Sequence, residues 1–394
     1  MSLLTETIST VVSCDQLVSD LLTVEVVNAD SVAADVAVID TAQFTGLNAT
    51  NSTIDNLTVT NSTVTDLTSA SLQLNGNVVG FQSPVVAGGD TGDLVYSADG
   101  VNFVTVLASG MGALFQATVN GVAGDSQKWI AVARKNMGAG ANMAISYNGF
   151  GVGSWVAHPS PPNASDIFTV AYNNGLWHCG TAMGFYYSED GFTWVACTGS
   201  YPAVGVNSVT FAQGKWVATG NQAAGTTLCY SLNGIAWLPG TGVKFDPAGY
   251  SVVGSSSLFV AVGFDNTAKH MLVSTDGINW TVPPTPPPST FGYSVAVNSL
   301  GTTWVASGEG ARFYYSTDGL VWINTGFTSI NSAKFVWDGV KFVATGIGSD
   351  VPNNNKDTAI SYDGIHWNLT DLFLTNHTGT AININAKRGV LAIV

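Results

Sequence analysis

Charge is scarce in this 394-residue chain: only 10% of residues are Asp, Glu, Lys or Arg, and 12 basic residues against 26 acidic ones leave a net charge of −14. The arginines Arg134, Arg312 and Arg388 and the few lysines are unclustered. Nucleic acid is therefore not expected as a partner, because neutralising phosphates needs a basic patch. No apolar run is long enough to span a bilayer, so membrane insertion is not expected. No basic region precedes an apolar run near Met1, so no signal peptide is expected. Cys14, Cys179, Cys197 and Cys229 show neither CxxC nor Cys/His ligand spacing. Buried free thiols are the expectation, with a Cys179–Cys197 pair as the alternative. His158, His178, His270, His366 and His377 are equally scattered, and no phosphate-binding loop is present, so neither a metal nor a cofactor is expected. Helical periodicity of useful length is missing as well.

What the chain has in quantity is repetition. A phrase Ser-x-(Asp/Asn)-Gly, followed by an aromatic, occurs seven times. It runs Ser97-Ala98-Asp99-Gly100 with Phe103, Ser146-Tyr147-Asn148-Gly149 with Trp155, and Ser188-Glu189-Asp190-Gly191 with Trp194. It continues as Ser231-Leu232-Asn233-Gly234 with Trp237, Ser274-Thr275-Asp276-Gly277 with Trp280, Ser316-Thr317-Asp318-Gly319 with Trp322, and Ser361-Tyr362-Asp363-Gly364 with Trp367. Serine-to-serine steps are 49, 42, 43, 43, 42 and 45 residues, a period that marks a repeat architecture. Asp-Gly or Asn-Gly between apolar runs signals a tight turn, since Gly tolerates positive φ. The Asp and Ser side chains can take up turn amides. The following aromatic is an anchor with a large surface for a neighbouring sheet.

A second motif precedes the phrase in each period, as in Lys215-Trp216-Val217-Ala218-Thr219-Gly220 and Thr303-Trp304-Val305-Ala306-Ser307-Gly308. Of the 11 tryptophans only Trp337 falls outside the two motifs, so the tryptophans are repeat anchors. Four strand-like runs per period are the spacing of a propeller blade. The expected fold is all-β: a seven-bladed β-propeller over residues 81–394, preceded by an extended repetitive β shaft over residues 1–80. The first blade lacks an upstream strand. The C-terminal runs Ala381–Ile384 and Val390–Val394 offer one, and whether the terminal run or Val85–Gly89 takes the second position stays open.

The phrase resembles the Asp-box, or bacterial neuraminidase repeat, of sialidase-like propellers, written Ser-x-Asp-x-Gly-x-Thr-Trp. Here the residue between Asp and Gly is missing, only Thr193 fills the Thr slot, and Asn148 and Asn233 replace Asp. The resemblance implies the fold and says little about activity. A sialidase would need an arginine triad, a Tyr/Glu pair and an Asp acid. All three arginines of this chain would have to converge, and Arg134 lacks the Arg-Ile-Pro signature, so no catalytic residue is expected.

Residues 1–80 contain no Pro, Lys or Arg, and Asn51–Thr60 is followed at once by a similar Asn61–Ala70. As a single chain such a strip buries little apolar area. It is read either as disordered or as several copies wrapped on a shared axis, and its composition resembles the shafts of trimeric phage and viral fibres. A short coiled coil on Leu17, Leu21 and Val24 is a further alternative. The functional expectation is a virion-surface fibre or spike, homotrimeric through residues 1–80, joined there to other virion proteins. Its head would attach to a host surface glycan or protein. A structural decoration protein and a glycan-cleaving enzyme are the alternatives. Binding residues are expected on the face opposite the Ser-x-Asp-Gly turns, where loops vary: Tyr250, Asp265, Asn266, Glu309, Arg312, Asn353, Asn354 and Lys356.

Overall fold

The computed structural model describes residues 84–107, 114–125, 127–135, 140–147, 154–202, 204–221, 225–265, 269–288, 291–348 and 358–370, together with the strands lying within 11–82 and 379–393. No helix occurs among the described residues. The chain forms two compact units, Met1–Gln82 with Val390–Val394, and Ser83–Gly389.

In the first unit the strands Leu17–Val24, Val27–Ala34, Ala37–Phe44, Leu47–Ile54 and Leu57–Val64 begin ten residues apart. The first three each pair in parallel with the strand two places on, so Leu17 lies opposite Ala37, Val27 opposite Leu47 and Ala37 opposite Leu57. Alternate strands thus build two parallel sheets, one coil per twenty residues. The ten-residue period finds backbone partners inside the one chain. The coiled-coil alternative on Leu17, Leu21 and Val24 is replaced by the strand Leu17–Val24. Val390–Ile393, expected in the head, instead pairs antiparallel with Asn77–Gln82 of this unit.

The second unit is a propeller of seven antiparallel sheets. The inner strands of blades 2 to 7 are Val119–Gly124, Ile167–Asn173, Val206–Ala212, Pro247–Gly254, Gly292–Val297 and Ile330–Trp337. Blade 1 takes its inner strand from the other end of the chain: Gly379–Ile384 pairs with Val85–Gly89, which is therefore the second strand. Three strands from the start of the unit and one from its end close the ring and leave no open inner edge.

The repeated phrase is the joint between blades. In blade 6 the Ser316 hydroxyl donates to Asp318 Oδ1 at 3.0 Å and accepts from Gly319 N at 2.9 Å. The amides of Leu320 and Val321 donate to the same Asp318 oxygen at 2.8 and 2.9 Å. Blades 1, 3, 5 and 7 use Asp99, Asp190, Asp276 and Asp363 in the same way, and blade 4 uses the Asn233 amide oxygen. The blade 2 turn, with Asn148, lies outside the described residues. Each described turn glycine has positive φ, 73° at Gly319, and sits against the blade before it: a Cβ on Gly319 would fall 2.5 Å from Leu258 Cδ2. Only Gly meets both the backbone sign and the clearance.

The aromatic that follows continues the contact. Trp280 of blade 5 packs with Val217 and Leu228 of blade 4, Trp322 with Leu258 and Val260 of blade 5, and Trp367 with Val305 and Phe313 of blade 6. Trp155 and Trp237 are buried likewise, while Trp194 is half-buried against Ile130 and Val132. At the ring-closing seam Phe103 packs on Val343 and Ile360. There Lys341 Nζ also donates to the Asp99 carbonyl at 2.7 Å while bound to Asp338 Oδ2 at 2.8 Å. Cys179, Cys197 and Cys229 are buried free thiols, and no Cys179–Cys197 bond forms.

These turns set the acid limit of the fold. Partial burial raises the Asp99 and Asp363 carboxyls, but turn amides and side-chain donors outweigh it and bring both down to about 2. Asp190, Asp276 and Asp318 are also lowered. A folded pKa below the unfolded value of about 3.9 adds stability that is present above that value and lost as pH falls through the folded one. Stability is therefore expected to fall between about pH 4 and 2. Asp318→Asn, which copies the turn of Asn233, should stay within about 1 kcal/mol of the parent at pH 7 and show a shallower acid limb. Denaturant titrations at stepped pH check both.

Candidate functional site

Every inner strand of blades 2 to 7 is bulged near its start. The register skips one residue at Asn120, Phe168, Asn207, Tyr250 and Tyr293, and two, Ser332 and Ala333, in blade 7. A bulge bends the strand and re-aims the side chain of its extra residue. Inner strands begin where the chain arrives from the preceding blade, so these side chains gather at the mouth of the channel on the face opposite the Ser-x-Asp-Gly turns. Two of them tie blades together: Asn120 Nδ2 donates to the Ile167 carbonyl at 2.7 Å and Asn207 Nδ2 to the Gly249 carbonyl at 2.9 Å.

In blades 5 and 6 the bulged residues are tyrosines and belong to a row of four partly exposed rings. Phe264 and Phe291 stack with centroids 4.3 Å apart and planes 6° apart. Phe291 and Tyr293 follow at 6.0 Å and 7°, then Tyr293 and Tyr250 at 6.4 Å and 16°. Spacings of 6.0 and 6.4 Å with near-parallel planes mean offset rings, each leaving part of its surface open to the mouth. Neither tyrosine hydroxyl has a hydrogen-bond partner among the described residues. Burial and then the neighbouring Tyr293 raise the Tyr250 phenol. Beneath the row a cavity of about one water in size is lined by His270, Phe291 and Tyr314. His270 Nε2 lies 2.6 Å from the Pro287 carbonyl, and its Nδ1 has no partner among the described residues.

Beside the row stands a cation. The first residue after the bulge is Ser208, Ser251 and Ser294 in blades 4 to 6 and Lys334 in blade 7. The three serines bond the next blade's inner strand, as when Phe335 N donates to Ser294 Oγ at 3.1 Å. Lys334 instead reaches back, and its Nζ donates to the Tyr293 carbonyl at 3.1 Å. It has no carboxylate partner among the described residues, and burial lowers its pKa to about 8.

Of the residues expected to bind, Tyr250 is in this row. Glu309 and Arg312 are exposed on the turn before the third strand of blade 6, where Arg312 bonds Tyr314 at the edge of the cavity. Asp265 is corrected: it ends the strand Phe259–Asp265 and is only 4% exposed, paired across from Pro247. Asn266, Asn353, Asn354 and Lys356 lie outside the described residues. Arg134 sits in blade 2 and Arg312 in blade 6, and Arg388 is not described, so no arginine cluster is seen among the described residues. The row's other members, Phe264, Phe291 and Tyr293, and Lys334 escaped the sequence reading. A signal was present: Gly-Tyr-Ser-Val occurs at Gly249–Val252 and again at Gly292–Val295.

No protein-family model matches the chain, and no curated protein matches it. Among solved structures it is similar to YCF48 bound to D1 peptide, at 13% identity and a TM-score of 0.48, over 75% of this chain and 94% of that one. It is similar to an ancestral GH74 enzyme at 19% identity and a TM-score of 0.47, over 64% and 37%. A chain of the mitotic checkpoint complex matches at 10% identity and a TM-score of 0.50, over 70% and 83%. At these identities the likeness extends to the fold alone.

Lys334 costs the fold stability, because its ammonium is held where its charged form is disfavoured. A folded pKa of about 8 against an unfolded value of about 10.4 means stability rises with pH between those values. Lys334→Met should stabilise the protein at pH 7 by about 1–3 kcal/mol and abolish that alkaline rise. Urea unfolding at pH 7 and pH 10 measures both.

Proposed function

We propose that this chain is a fibre or spike protein of a virion, whose propeller head, of the Asp-box kind, attaches the particle to a host surface glycan or protein. The observation that carries the reading is the row of offset rings at the channel mouth, with unpartnered phenols and a cation beside it. Tyrosines of this kind, apolar across the ring and polar at the tip, are what recognition surfaces are enriched in. The position fits as well, since the face opposite the blade-joining turns carries the loops and is free to vary without loosening the ring. The anchoring role falls to residues 1–80, whose ten-residue repeats resemble fibre shafts, with three copies giving the head avidity. Other virion proteins would be held at the same end.

The test pairs two readouts on the full chain. Light scattering should give three times the 40.9 kDa chain mass, and the labelled protein should adhere to host cells. Adherence that disappears with Tyr250→Ser at unchanged melting temperature supports attachment through the row. A protein that binds capsid or tail components and no cell is a decoration protein, and one that turns over a fluorogenic glycoside is an enzyme; either result overturns the reading.

A further inference from the structure

We infer that the channel mouth at blades 5 to 7 is a binding site for an acidic saccharide, with Tyr250 and Tyr293 taking the sugar ring and the Lys334 ammonium taking its carboxylate or sulfate. The inference rests on the attachment reading and names the ligand class of that same site. Three features converge. First, the exposed steps of two offset, near-parallel phenol rings offer apolar surface that suits the C–H face of a pyranose, and their hydroxyls are free to bond its hydroxyl groups.

Second, the ammonium is out of place without a ligand. Of its three donors one is used, on the Tyr293 carbonyl at 3.1 Å. The two fully buried lysines of the head are paired, Lys128 with Asp125 at 2.7 Å and Lys341 with Asp338 at 2.8 Å, whereas half-buried Lys334, like Lys215 on the Asp276 carbonyl, bonds backbone. Lys334 has no such carboxylate among the described residues, so its charge waits for an anion that arrives from outside. Third, its position is the serine position of the three preceding blades, where a hydroxyl ties neighbouring strands. Replacing that tie with a lysine that weakens the fold is the trade expected of a ligand-contacting residue. Because the Lys334 nitrogen sits on the backbone of Tyr293 itself, one monosaccharide can reach both the ring and the charge.

The experiment is calorimetric titration of the full chain with sialylated, uronate-containing and sulfated oligosaccharides, each beside its neutral counterpart. At least one acidic arm should bind, and the arm that responds tells carboxylate from sulfate. Lys334→Met should weaken that arm at least tenfold while leaving the neutral counterpart unchanged, and Tyr250→Ser should weaken both. Both variants are checked for an intact melting transition, and Lys334→Met, expected to be the more stable, keeps the test open if Tyr250→Ser fails to fold. Binding of neutral sugars alone, acidic binding indifferent to Lys334→Met, or no saccharide binding overturns the inference. Adherence to cells stripped of glycans would overturn it and leave attachment standing, whereas absence of adherence to any cell would remove both.

Discussion

The carboxylate that accepts two turn amides and a serine hydroxyl, next to a glycine seated on the preceding blade, is the contact on which the head depends. It acts at two levels. Within a blade it gathers donors that a tight turn would otherwise leave unpaired. Between blades it brings Gly and the aromatic behind it onto the second strand of the neighbour, as Gly319 and Trp322 meet Leu258. Most backbone hydrogen bonds run within a sheet, and short parallel pairings add to the joint where Thr198–Gly199 lies beside Ala236–Trp237 and Thr241–Gly242 beside Asn279–Trp280. At the seam between blades 7 and 1 the C-terminal strand supplies backbone pairing, and the Lys341–Asp338 pair grips the Asp99 carbonyl.

Confining that joint to one face leaves the other free. The bulges at the start of the inner strands turn one side chain in each of blades 2 to 6 toward the channel mouth, and the backbone there is already committed to the ring. Asn120 and Asn207 spend their amides on neighbouring blades, whereas Tyr250 and Tyr293 keep their hydroxyls unspent. The same strand position that locks blades 4 to 6 with serine carries a destabilising lysine in blade 7. Stability is concentrated on the turn face, and its one evident sacrifice is on the mouth.

Much of this was legible in the sequence, because the determinants of the joint are local. Seven spaced copies of Ser-x-(Asp/Asn)-Gly and an anchor per copy fix the number of blades and the buried tryptophans. What stayed hidden is set by tertiary geometry. Which end of the chain supplies the innermost strand of blade 1 depends on pairing across about 300 residues, between Val85 and Ile384. Tyr293 looked like an ordinary strand residue because a bulge leaves little local trace, and Asp265 looked like a loop residue because the strand ahead of it runs longer than its apolar core. In the first unit the sequence repeats every ten residues while the strands pair every twenty, so the period alone could not tell an intrachain coil from a bundle of copies.

The most direct test of the account is hydroxyl-radical footprinting of the full chain on host cells, read residue by residue against the free protein. If the channel mouth is where the head meets its target, Tyr250 and Tyr293 lose reactivity on binding while exposed residues of the turn face, such as Leu232 and Tyr362, keep theirs. Protection of the turn face with the two tyrosines unchanged would contradict it.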